Sequence, residues 1–325
     1  MKMDSITLNA HAKINLSLEV VGKRPDGYHN IVSLMQGIGL CDVVTIKKCP
    51  QNGTKYNLPH CTINRHVVYL CTNEKTIPTD MNNLAIKGIA ALAKAAEAVF
   101  PGTDLIIGIE KKLPVAAGIA GGSGNAAAAM LGLNALAGYP LSLRELMSLG
   151  AEAGADVPFS IFMNAAANRD NLKGLQGLDE ARFAAWTGGI GDIVEGTDEE
   201  VRYVIMANPG TGVSTRDAYQ AIDGIGYSGI DEGGRRKLFV NDLEKYTLDS
   251  YPEAAALKQL MRDTLDADEI LMSGSGPTMV AYYKDKEKAE RDAEKLSRAL
   301  ETRPGHRMWL TTAGIDDKTQ EERQR

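Results

Sequence analysis

Residues 113–125 read Leu113-Pro-Val-Ala-Ala-Gly-Ile-Ala-Gly-Gly-Ser-Gly-Asn125, with no charged side chain, between a predicted strand (105–109) and an alanine-rich predicted helix (126–136). Side chains this small let backbone N–H groups approach a ligand closely, and the helix that follows points the positive end of its dipole the same way. The segment predicts an anion cradle, with phosphate as the natural anion. No Lys follows the glycines as a P-loop requires, and no G-x-G-x-x-G opens the helix in a parallel βαβ unit. Small residues also permit close helix packing, which Ala126 to Ala129 serve. The uncharged run continues to residue 143, but Pro114, Pro140 and the glycines leave no apolar helix long enough to cross a bilayer.

The chain has 325 residues, more than one hydrophobic core normally serves, so two domains are expected. Its 36 Lys and Arg against 42 Asp and Glu give a net charge of −6, which argues against a nucleic-acid partner. A small phosphorylated ligand needs only a local positive site. The N-terminus alternates apolar and polar residues and contains no signal peptide, so a cytoplasmic protein without membrane association is expected. Cys41, Cys49, Cys61 and Cys71 form no CxxC pair, and His60 and His66 complete no zinc spacing. They read as reduced thiols, and metal ligands stay unassigned.

Alternation over residues 6–20, clearest at Ile14, Leu16, Leu18 and Val20, predicts a strand. A turn at 22–27 and strands at 31–38 and 43–46 follow. Leu84, Ile86, Ile89, Leu92, Ala93, Ala96 and Val99 share one face of a predicted helix over 84–100. Ser142 and Glu145 form a capping box that opens another helix, running to about residue 153. In the second half, strands at 204–207, 270–272, 278–283 and 308–312 alternate with helices at 215–222, 252–265 and 286–300. That order predicts an α/β sandwich of split βαβ type. Residues 315–325 read as a charged, frayed tail.

Three further segments stand out. Ala12-Lys-Ile-Asn-Leu16 places Lys13 and Asn15 on one side of a strand, because residues two apart share a face. Gly154-Ala-Asp-Val-Pro-Phe159 puts Asp156 at a constrained turn before a predicted strand. Ser273-Gly-Ser-Gly-Pro-Thr278 is a second glycine loop between two strands. Singly, each has an ordinary structural explanation. In this order, and together with Arg24-Pro-Asp-Gly-Tyr-His29 and Gly189-Ile-Gly-Asp192, they make the chain resemble the GHMP kinases over nearly its whole length. These are small-molecule kinases without a P-loop, named for galactokinase, homoserine, mevalonate and phosphomevalonate kinases. The pairing of Ala-Lys-Ile-Asn-Leu with Asp-Gly-Tyr-His is the most specific part, and it points to a branch acting on a cytidylyl-bearing small molecule in isoprenoid precursor synthesis.

The resemblance implies an α+β fold in two domains, an N-terminal ribosomal-protein-S5-like domain and a C-terminal ferredoxin-like split βαβ domain. On this reading residues 1–165 bind nucleotide, 166–195 are an inserted junction and 196–325 form the second domain. It implies ATP and Mg²⁺ as cofactors, a small cytidylyl substrate as partner, and a monomer or homodimer. Asp156 would be the general base, and Lys13 would keep it ionised and stabilise the phosphoryl group in flight. Pro114, Val115, Ala116, Ala117, Gly118, Ile119, Ala120, Gly121, Gly122, Ser123 and Gly124 would enclose the ATP phosphates. Asn15, Tyr28, His29, Thr215 and Tyr219 would contact the substrate, with Tyr28 and His29 at its cytosine end. Rival readings are another GHMP kinase, of homoserine or mevalonate type, and a nucleotide-binding relative without turnover. Two departures bear on these expectations. Residues 164–188 are longer than the family pattern, with Leu172, Leu175, Leu178 and Phe183 spaced for an added amphipathic helix. Ala116, Ala117 and Ala120 stand where some relatives have Gly, which alanine replaces well only where φ stays negative.

Overall fold

A long antiparallel hairpin organises the chain in its computed structural model, which describes residues 3–49, 56–95, 103–115, 117–198, 202–227 and 237–314. Strand β1 (Ser5–Lys23) runs against β2 (His29–Lys48), with register shifts at His11/Lys13, Asn15/Ser17 and Val20/Gly22. Such shifts bend a strand and re-aim its side chains. The even-numbered residues of β1 therefore enter three clusters in turn. Leu8 and Ala10 join the first, Ile14 and Leu16 the middle one, and Leu18 and Val20 the last. The two strands expected at 31–38 and 43–46 are one, because Asp42 between them is buried and hydrogen-bonded instead of marking a turn.

The first half layers helices on a mixed sheet. Strands β3 (His60–Ile63), β4 (His66–Thr72) and β5 (Leu105–Glu110) extend it in the order β3-β4-β5-β2, with β4 and β5 parallel. Helices α1 (Leu84–Ala95), α2 (Gly121–Leu136), α3 (Leu143–Gly150) and α4 (Val157–Ala167) cover its inner face. The end of the helix expected to reach residue 100 lies outside the described residues. The capping box at Ser142 and Glu145 is present. Two expectations need correction. Helix α2 starts at Gly121, so the last five residues of the glycine segment are helical, and Asp156 precedes a helix and not a strand. Pro158 is well tolerated in that first turn, and the apolar run after it is buried on all sides, which leaves no alternation for a strand.

Residues 168–183 form successive turns and one 3-10 turn at Leu178–Glu180 in place of the amphipathic helix that their leucines suggested. Leu172, Leu175 and Phe183 are nevertheless buried in the first cluster. Arg169 holds the turns, its Nη1 donating to the Leu178 carbonyl at 3.0 Å. Strand β6 (Ala184–Gly188) then pairs with β2, and β7 (Ile193–Thr197) pairs with β6.

The second half contains β8 (Arg202–Asn208), α5 (Thr215–Ile225), α6 (Glu244–Ser250), α7 (Pro252–Thr264), β9 (Glu269–Met272), β10 (Met279–Tyr283), α8 (Lys286–Leu300) and β11 (Arg307–Ala313). Its strands lie in the order β11-β8-β10-β9, all antiparallel, as the predicted split βαβ arrangement requires. Both faces of this sheet are buried. Ile205, Ala207, Ala281 and Tyr283 face the helices, while Val204, Met206, Val280 and Tyr282 pack on Ile14 and Leu16 of β1. Among the described residues no helix is long and apolar enough to cross a membrane.

Candidate active site

Where the two halves meet, a cleft of about 1180 Å³ is lined from both sides. Lys13 projects into it from β1 between two of the register shifts. Its side chain is only 4% exposed, and its Nζ lies 3.5 Å from Asp156 Oδ2 and donates to Asn15 Oδ1 at 2.8 Å. Asn15 in turn donates to Ser33 Oγ on β2 at 2.8 Å. Lys13 and Asn15 thus share a face, as strand spacing predicts. Asp156 occupies the N-cap position of α4, but its side chain makes no capping bond there and remains one-third exposed in the cleft. An anion at a helix N-terminus is favourably placed by the helix dipole. A buried cation and an amide from β1 therefore meet a one-third-exposed carboxylate more than a hundred residues later in sequence.

The start of α2 also lines the cleft. No side chain caps its N-terminus, so the first-turn N–H groups are available to an anion. The chain reaches that point through Gly118 at φ +74° and Ala120 at φ 55°. Ala120 therefore does not meet the condition of negative φ under which alanine replaces glycine well, and the left-handed region costs an L-residue about 1–2 kcal/mol. Lys13 N–H donates to the Ile119 carbonyl at 3.0 Å, which ties this loop to β1. Of the residues expected to enclose phosphates, Ile119 points into the middle cluster and Gly124 packs against the β1 backbone at His11, so neither lines the cleft. Ala116 lies outside the described residues.

A buried hub that the sequence reading did not single out holds this wall. Asp42 is 0% exposed and accepts from Lys111 Nζ at 2.5 Å, from the N–H groups of Lys112 and Leu113, and from Asn125 Nδ2 at 2.8 Å. One carboxylate thus fixes both ends of the glycine segment. Its only sequence signal is a charge inside an otherwise apolar strand.

In the same cleft His29 is buried, stacks on Tyr219 with ring centroids 5.7 Å apart, and lies 2.9 Å through Nε2 from Asp223 Oδ1. Burial and the nearby Asp156 charge push the Tyr219 hydroxyl up. Tyr28 stands 62% exposed at the rim. Thr215, Tyr219 and Asp223 are four residues apart on α5 and so share one helical face toward the cleft. That spacing is a readable signal for Asp223, which the sequence analysis passed over.

The second glycine loop closes on the first. Thr278 Oγ1 donates to the Ala117 carbonyl, Asn208 Nδ2 donates to Thr278 Oγ1 at 2.9 Å, and Thr215 and Ser275 share a hydroxyl hydrogen bond of 2.8 Å. A Cβ on Gly118 would stand 2.7 Å from the Gly276 carbonyl oxygen, so the backbones approach in a way only glycine allows.

This geometry has relatives. The sequence profile of the GHMP kinases N terminal domain matches residues 83–164, and that of the GHMP kinases C terminal domain matches residues 231–302. The chain belongs to the GHMP kinase family of small-molecule kinases. Its curated relatives include the 4-diphosphocytidyl-2-C-methyl-D-erythritol kinase of Geobacter metallireducens, 34% identical over 91% of this chain and 95% of that one. The enzyme of the same name from Lachnoclostridium phytofermentans is 35% identical over 89% and 91%. Among solved structures, a 4-(cytidine 5'-diphospho)-2C-methyl-D-erythritol kinase superposes with a TM-score of 0.69 at 25% identity, covering 96% of this chain and all of that one. Homoserine kinase from Cytophaga hutchinsonii shares the fold at a TM-score of 0.61 and 17% identity, over 97% of this chain and 96% of that one.

Proposed function

We propose that the chain transfers the γ-phosphoryl group of ATP to the 2-hydroxyl of 4-diphosphocytidyl-2-C-methyl-D-erythritol. The observation that carries the reading is the position of the Lys13–Asp156 pair, in one cleft with an uncapped helix N-terminus and a stacked histidine. Phosphoryl transfer is governed by positioning and charge, and needs few protein groups. In this reading Asp156 Oδ2 accepts the proton of the attacking hydroxyl as its oxygen bonds to phosphorus and ADP leaves. Lys13 Nζ, anchored by Asn15, faces the negative charge of the moving phosphoryl group. The Gly121 end of α2 receives the phosphates through backbone N–H groups. His29, Tyr28 and Tyr219 hold the cytosine end, and Thr215 and Asn15 line the span between.

Two donor sets test the fit of the implied cofactors. The uncapped α2 terminus beside buried Lys111 suits nucleotide phosphates. For Mg²⁺, the described residues contain no cluster of three or more His, Cys, Asp or Glu side chains able to cage an ion. The cleft does present Ser123 and Asp156, and Mg²⁺ commonly binds through phosphates, water and one or two protein oxygens. When bound, the ion would neutralise phosphate charge. A substrate screen that follows ADP release decides the reading. Turnover on the cytidylyl substrate, with homoserine and mevalonate inert, supports it; the reverse pattern, or ATP binding without ADP formation, overturns it.

A further inference from the structure

Asp223 takes no part in the chemistry above, yet it stands at the cytosine end of the cleft with both carboxylate oxygens engaged. Oδ1 lies 2.9 Å from His29 Nε2, and Oδ2 lies 2.5 Å from Lys23 Nζ. These contacts hold the Asp223 carboxyl below the usual carboxylate range, the Lys23 hydrogen bond foremost and the His29 one next. An ionised carboxylate only accepts hydrogen bonds, so the hydrogen in the contact with His29 sits on Nε2. In a neutral imidazole that leaves Nδ1 with a lone pair. Among the described residues His29 Nδ1 has no hydrogen-bond partner, and the ring lines the cleft. Stacking on Tyr219 and a side-chain exposure of 3% restrict the ring from turning over.

We propose that Asp223 is a positioning residue that fixes His29 in its Nε2–H form, so that the site prefers a pyrimidine with an amino donor over one with a carbonyl oxygen. The proposal rests on the reading of His29 as a base contact. Cytosine carries its exocyclic N–H₂ where uracil carries O4. The first can donate to the Nδ1 lone pair. The second would face it acceptor to acceptor and leave both groups unsatisfied in a buried place. Lys23 has a different part: it neutralises Asp223 without touching the ring.

The test measures CMP and UMP as competitors of the cytidylyl substrate for the full chain and for D223A, D223N and K23M. Nitrogen-15 NMR of the His29 imidazole reports its tautomer. Expected in the unaltered chain are an Nε2–H signal and a preference for CMP on the order of tenfold. In D223A the preference shrinks to about twofold and KM for the substrate rises while kcat holds, because the contact is remote from the transferred group. D223N, whose amide can accept from or donate to Nε2, shows both tautomers and an intermediate preference. K23M keeps the tautomer and the preference. An undiminished CMP preference in D223A, an equal collapse in K23M, or an Nδ1–H tautomer in the unaltered chain overturns the proposal. If neither nucleotide competes, the cytidylyl reading itself fails and this inference falls with it.

Discussion

Asp156 is set apart from other carboxylates of the chain by what it does not do. Other acidic side chains near helix starts, such as Asp285 before α8, accept from a first-turn N–H, whereas Asp156 at the α4 N-cap leaves its oxygens to the cleft and to Lys13. A group spared from structural work can be replaced without unfolding the helix. We expect Asp156→Ala to lower kcat by roughly 10²–10⁴-fold, the range of a general base. Isothermal titration should find ATP affinity largely unchanged, and near-normal turnover would refute the assignment. His29 is the opposite case, buried against Tyr219 and proposed to hold the base of the substrate. His29→Ala should raise KM for the cytidylyl substrate and leave kcat almost intact. Steady-state kinetics with varied substrate separates the two effects, and a defect confined to kcat would contradict the role.

Helix α2 and the segment leading into it form one device at the scale of the element. No side chain caps its N-terminus, so something else must hold it in place, and Asp42 does so from β2. Asp42→Ala would leave Lys111, whose side chain is 6% exposed, as a buried cation without its partner. A loss of about 3–5 kcal/mol is expected in urea unfolding, the range for breaking one side of a buried pair. A higher KM for ATP should accompany it. Ala120 offers a gain in the other direction. With φ at 55° it sits where glycine is at ease, so Ala120→Gly should stabilise the chain by about 0.5–1 kcal/mol, the relief of left-handed strain less the added freedom of the unfolded chain. A fall in the urea midpoint would show that the alanine methyl contributes packing that outweighs its strain.

Across the whole molecule, β1 is shared by all three hydrophobic clusters, as is its hairpin partner β2. Because β1 passes from the first core through the middle cluster to the last, the halves are joined by continuous packing and not only by a linker. The cleft lies on that seam, with Lys13 and Asn15 on the polar face of the shared strand. The two glycine loops complete the closure, Gly118 against Gly276 and Thr278 against Ala117. Gly118→Ala combines a Cβ 2.7 Å from a carbonyl oxygen with a φ of +74°. It should cost about 1–3 kcal/mol and raise KM for ATP, measured by thermal unfolding and kinetics together. Unchanged values for both would show that the two loops are not held in register by this contact.

Much of this was legible locally. Alternation along β1, the capping box at Ser142 and the strand and helix order of the second half are encoded by neighbours in sequence, so pattern alone revealed them. The pattern misled where burial was complete. Residues 157–167 are apolar all round and carry no period to separate helix from strand, and the leucines at 172 and 175 reach the core from turns. Asp42 was silent because a single carboxylate has no pattern; its meaning depends on which donors arrive from elsewhere, and the helical spacing of Asp223 told its face but not its partner. From its own letters the chain determined most of its strands and helices and a charge-free glycine segment between a strand and a helix, since propensity and periodicity are local quantities. That Lys13 meets Asp156, that Asp42 fastens the glycine segment and that Asp223 faces His29 was decided only when distant segments packed, because a charge acquires its partner through space and not along the chain.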